Sequence, residues 1–127
     1  MMNNLEEKCK KVLSGELNVD EFFKDCHTRR SIQELYSLTS DLDIPITPED
    51  VISYLNAFIN DKKSAEEAAE WALFIIMSGA YNRNSDNKPE DYYDHMGFII
   101  EQMSCPAIDG VLTKERARGY IAELKKL

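Results

Sequence analysis

Ser64-Ala65-Glu66-Glu67-Ala68-Ala69-Glu70-Trp71-Ala72-Leu73-Phe74-Ile75-Ile76 is the stretch on which the fold turns. Ser64-x-x-Glu67 is a capping box: the serine oxygen accepts from the fourth residue's backbone N–H, and the glutamate reaches back to the serine's own N–H. The helix that follows is apolar nearly all round, the pattern of a central helix covered on several sides. Its alanines let neighbouring helices come close, and Trp71 fills a large volume. Glu66, Glu67 and Glu70 fall over the first turns, where the helix dipole favours negative charge. That role accounts for them without a general acid–base pair.

Upstream, Thr47-Pro48-Glu49-Asp50 is another helix start, with a capping hydroxyl, proline at the first helical position and two acids. Val51, Ile52, Leu55, Phe58 and Ile59 then share one face, and Asn60 to Lys63 interrupts the pattern. Asp41 to Ile46 is a connector, because Pro45 disfavours helical geometry at Ile44. Further back, Asn18 caps a helix carrying Val19, Phe22, Phe23 and Cys26, and Ser31-x-x-Glu34 opens Ile32, Leu35 and Leu38. Whether residues 18–39 form one helix or two stays open, since Thr28 to Ser31 is a break in the pattern. Leu5, Cys9, Val12 and Leu13 make a first short helix that Gly15 ends.

Downstream, Tyr81 to Lys88 is polar and reads as a surface loop. Pro89-Glu90-Asp91 opens a helix with Tyr93, Met96, Ile99, Ile100 and Met103, and Cys105 to Gly110 is a turn region. Thr113 caps a last amphipathic helix bearing Ala117, Tyr120, Ile121 and Leu124. The expectation is all-α: a compact single-domain bundle, residues 1–127, of about six or seven short helices. Gly15-x-Leu17-x-x-Asp20 and Gly110-x-Leu112-x-x-Glu115 look alike, as repeated capping grammar rather than a true repeat. A chain of 127 residues hides roughly two-thirds of its unfolded surface, enough for a core without staples. Scarce glycine and proline, five and four, agree with helices.

Charge narrows the function. Fifteen Lys and Arg against 23 Asp and Glu give −8, a surface that repels nucleic-acid phosphates and anionic lipid and attracts a basic partner. Solubility alone is the competing account of the same charge. Cys9, Cys26 and Cys105 are odd in number with no close CxxC pair, so reduced cytoplasmic thiols fit better than disulfides or structural zinc. The first residues have no apolar core of a signal peptide, and Ala72 to Met77 is too short to cross a bilayer. Five scattered glycines make no phosphate-cradling loop, so no nucleotide or other cofactor is expected.

Catalytic constellations are thin. Cys26 and His27 are adjacent, but neighbours on a helix point about 100° apart and make no dyad. Asp91 and His95 stand at i, i+4 on one face, a spacing that can hold a metal, yet two ligands are not a site and a surface charge pair explains them. The expectation is a non-enzymatic protein without a metal. An enzyme would need a cleft joining His27 or His95 to thiol or carboxylate groups.

Two segments combine acid with apolar or aromatic groups. The first holds Asp41, Asp43, Glu49 and Asp50 with no basic residue. In the second, Asp86, Glu90, Asp91 and Asp94 surround Tyr92 and Tyr93. Two consecutive tyrosines at a helix start cannot both face the core, so Tyr92 is the candidate exposed aromatic in an acidic rim, as a hot spot for a basic partner requires. The plainer account is an acidic first turn with a tyrosine holding its hydroxyl in water.

A short acidic helical chain with several capped helices, and with Ser64-Ala65-Glu66-Glu67-Ala68-Ala69-Glu70-Trp71-Ala72 at its centre, resembles the bacterial immunity proteins that neutralise colicins, contact-dependent inhibition toxins and other polymorphic toxins. The resemblance implies stoichiometric inhibition of a cognate protein toxin, often a basic nuclease, with carboxylates standing in for substrate phosphates. Carried onto this chain, the contacts are Asp86, Glu90, Asp91, Tyr92 and Asp94, with Asp41 and Asp43 as a second patch. The alternative is a stand-alone regulatory or adaptor module that binds a host protein and inhibits nothing. It demands an exposed apolar groove instead of an acidic face.

Overall fold

Ser64 and Glu67 exchange both capping bonds: Glu67 N–H donates to Ser64 Oγ at 3.0 Å, and Ser64 N–H to Glu67 Oε1 at 2.8 Å. In the computed structural model, which describes residues 4–25, 32–82 and 90–126 apart from the side chains of Asn4, Asp25, Ile32 and residues 90–93, this box opens a helix at Ala65–Met77. Two further helix starts, at Thr47 and Thr113, are capped where their residues predict. Thr47 N–H donates to Asp50 Oδ2 at 2.9 Å ahead of Pro48–Ile59, and Thr113 Oγ1 accepts from Arg116 N–H at 3.1 Å ahead of Lys114–Lys125.

Eight helices stand among the described residues: α1 (Asn4–Ser14), α2 (Val19–Asp25), α3 (Ile32–Thr39), α4 (Pro48–Ile59), α5 (Ala65–Met77), α6 (Glu90–Ser104), α7 (Pro106–Asp109) and α8 (Lys114–Lys125). The all-α expectation holds, and the helices longer than one turn match the number read from capping and periodicity. Gly15 ends α1 at φ 86°, a left-handed backbone that glycine adopts without steric penalty. The stretch expected as a turn around Pro106 winds instead into α7, a single helical turn that Gly110 ends at φ 87°. Among the described residues no helix is long and apolar enough to cross a membrane.

The core is one cluster of buried side chains drawn from every helix except α7. It includes Cys9 and Val12, Phe22, Leu35, Val51 and Leu55, Trp71, Ile99 and Leu124. Helix α5 is central: it packs against α1, α2, α3, α4 and α6, while α8 lies along α4. Trp71 is 1% exposed, and its Nε1–H donates to the Leu13 carbonyl of α1 at 3.2 Å. The expectation of a central helix covered on several sides holds for α5, although two of its apolar residues are exposed. Leu73 and Ile76 are 39% and 44% exposed among the described residues.

Two short strands join distant connectors. β1 (Ile44–Pro45) pairs in parallel with β2 (Tyr81–Asn82), Ile44 opposite Tyr81 and Pro45 opposite Asn82. Ile44 N–H donates to the Ala80 carbonyl at 2.7 Å and Ile46 N–H to the Asn82 carbonyl at 3.0 Å. Pro45 falls between these donors and is exposed, the placement that proline tolerates in a ladder. The pair ties the entrance of α4 to the exit of α5.

Candidate functional site

The strand pair changes the relation between the two acidic segments. Far apart in sequence, the Asp41–Ile46 connector and the stretch entering the second segment at Tyr81–Asn82 lie side by side. Asp41 and Asp43 are both exposed, and Asp43 Oδ1 accepts from Asn82 Nδ2 at 3.0 Å. Thr39 fixes the same corner from beneath: its buried hydroxyl donates to the Leu35 carbonyl at 2.7 Å and accepts from Gly79 N–H at 3.0 Å. Gly79 is required by space. A Cβ there would lie 2.9 Å from Ser40 Cα and 3.2 Å from the Tyr36 ring. Tyr36 therefore rests on the Gly79 backbone and is 57% exposed.

Of the residues singled out in the second segment, Asp94 is exposed on α6. Glu90, Asp91 and Tyr92 lie in the first turn of α6, and their side chains fall outside the described ones. Asp86 lies outside the described residues, as do Cys26, His27 and the Ser31 cap. Tyr36 is an exposed aromatic on the corner that carries Gly79. Sequence reasoning passed over it because only the fold brings α3 against Gly79.

A second acidic place is a cavity of about 360 Å³ where α2 and α5 begin beside α4. Asp20, Glu21, Glu67 and Glu70 line it, with Tyr54, Lys63 and Trp71. Glu67, Glu70 and Trp71 stand at i, i+3 and i+4, so one face of α5 brings them together. The Tyr54 and Trp71 rings stack with centroids 4.2 Å apart and planes at 13°. Lys63 reaches in from the α4–α5 link: its Nζ donates to Asn18 Oδ1 at 2.6 Å and lies 5.9 Å from the Tyr54 ring centre. Asn18, expected to cap α2 with its side chain, thus spends its oxygen on Lys63. Glu21 contributes the return half of a capping box by accepting from Asn18 N–H at 3.3 Å.

Tyr54 is 4% exposed, and its hydroxyl makes no hydrogen bond with a described residue. It is not among the sealed, unsatisfied atoms, so its contact with solvent runs through this cavity. Burial first, then the Glu67 and Glu70 charges, raise its proton affinity well above the ordinary phenol range. The cavity thus brings carboxylates, a ring face and a phenol hydroxyl together around the Lys63 ammonium.

Of the histidine and cysteine candidates, Cys9, Cys105 and His95 lie among the described residues. Cys9 is buried in the core, and Cys105 is half-buried before α7. His95 Nε2 is 4.0 Å from Glu123 Oε2, a solvent-facing contact between α6 and α8. Among the described residues no group of three His, Cys, Asp or Glu side chains is arranged to hold a metal. Set against protein-family models, curated proteins and solved structures, the chain matches none of them.

Proposed function

We propose that this chain neutralises a basic protein toxin by stoichiometric complex formation, as bacterial immunity proteins do, without a cofactor of its own. The carrying observation is the β1–β2 pair, which sets the Asp41–Asp43 connector beside Asn82, with the exposed Tyr36 ring on the neighbouring Gly79. An exposed ring in an acidic surround is how a hot spot for a cationic surface is built. The −8 charge draws the partner in, and carboxylates occupy the cleft where a nuclease would hold phosphates.

A second reading, an adaptor that grips an apolar helix, draws on Leu73, Ile76 and the 56% exposed Phe98. Ile76 and Gly97 also line one shallow depression of about 150 Å³ between α5 and α6.

One experiment separates them. The chain is co-expressed with the toxin encoded beside it, and survival and complex formation are measured for wild type, Asp41→Lys/Asp43→Lys and Ile76→Asp. The neutralisation reading expects protection and a complex that the double reversal weakens at least about tenfold. Protection without a complex, or a complex indifferent to the reversal and lost with Ile76→Asp, overturns it.

A further inference from the structure

We infer that the depression between α5 and α6 binds a small neutral hydroxyl compound, a benzene-sized apolar body with one hydroxyl head. The site needs no toxin and is tested with small molecules alone, so its failure and that of the neutralisation reading are distinguishable.

Ser78 carries the inference. It is the C-cap of α5, and its backbone N–H donates to the Phe74 carbonyl at 2.9 Å. Its side chain has no such outlet. The residue is 92% hidden (100 minus 8% exposed) and lines the depression. Its Oγ is closed off from bulk solvent and has no hydrogen-bond partner among the described residues. Tyr81, on the same wall, gives its own proton to the Cys9 carbonyl at 2.7 Å. A buried hydroxyl without a partner costs free energy that alanine would not. Gly97 lines the depression from the middle of α6, where glycine is also less favourable than alanine. Two positions at which alanine would suit the helices better thus meet on one wall. Such departures from the best fold-forming residue are expected at functional sites.

The remaining wall sets the ligand's body. Ile75 and Ile100 are buried, and Ile76 is 44% exposed. At about 150 Å³ the space matches an apolar cavity that takes benzene, too small for a peptide segment. The head follows from Ser78 and Glu101. A hydroxyl accepts the Ser78 proton and donates its own to the Glu101 carboxylate, which lines the same depression. An anionic head would meet Glu101 as a like charge. An ammonium head only donates and would leave the Ser78 proton unplaced. The competing account is that Ser78 turns its hydroxyl onto a carbonyl of its own helix end, as serines often do. In that case Ser78→Ala lowers the urea midpoint, whereas an orphan hydroxyl leaves it unchanged or raised.

The full chain, labelled at its isoleucine methyl groups, is titrated by NMR with p-cresol, with toluene and with N-acetyltyrosinamide. Saturable shifts of Ile75, Ile76 and Ile100 with p-cresol are expected, while Ile52 on α4 stays still. The ratio of p-cresol to toluene affinity falls at least about fivefold in Ser78→Ala, a comparison from which the probes' own hydrophobicity cancels. Gly97→Ala narrows the depression and weakens both probes severalfold with circular dichroism unchanged. Should that variant fail to fold, the Ser78 ratio alone decides. Tighter binding of N-acetyltyrosinamide than of p-cresol assigns the ligand to a tyrosine presented by a protein, and the reverse order to a free small molecule. No saturable shift with p-cresol up to about 10 mM, a ratio unmoved by Ser78→Ala, or a lowered urea midpoint in that variant overturns the proposal.

Discussion

Single residues here carry two duties at once, and Tyr54 is the clearest. Its ring closes the core against Trp71 while its hydroxyl looks into an acidic cavity. Its folded proton affinity exceeds that of an unfolded tyrosine, near 10.0, with burial the leading cause. The folded chain therefore holds the phenol proton where the unfolded chain releases it. The stability this contributes is complete below pH 10 and drains away as the pH rises past that value. Tyr81, half-buried and donating to the Cys9 carbonyl at 2.7 Å, is raised in the same direction. Chemical denaturation between pH 8 and about 11.5 should show wild type losing stability above pH 10, and Tyr54→Phe losing less. Equal slopes would mean that the phenolate is tolerated in the fold.

At the scale of elements, the helix starts are where local chemistry governs. Ser64→Ala removes the oxygen that accepts from Glu67 N–H and should cost about 1 kcal/mol, read as a lower urea midpoint at unchanged slope. The Ser64 and Thr47 starts were legible because a capping box is satisfied within four consecutive residues and needs no partner from elsewhere. The strands were not: Ile44-Pro45 and Tyr81-Asn82 are too short for any periodicity, and each exists only because the other lies beside it. The turn of helix at Pro106 was hidden for a related reason, since four residues carry no amphipathic signal. The cavity was half legible. Glu67, Glu70 and Trp71 share a helical face by spacing alone, whereas Tyr54, Lys63 and Asp20 reach it from other elements, and only the tertiary packing says so.

For the whole molecule, net charge is the lever. With −8 on 127 residues, encounter with a basic partner is accelerated at long range, and salt screens that attraction within about 10 Å at 0.1 M. Under the proposed neutralisation, stopped-flow association with the basic partner should slow at least about tenfold from 0.02 to 0.5 M salt. Dissociation should change much less, and a rate indifferent to salt would remove steering from the account. The parallel strand pair adds something that charge cannot. Its two backbone bonds, Ile44 to Ala80 and Ile46 to Asn82, pin the connector before any partner arrives. The freedom that a loose loop would surrender on docking has already been lost during folding, so that cost does not fall on the encounter. A surface set in advance this way meets its target as a rigid template, and selectivity then rests on shape as much as on sign.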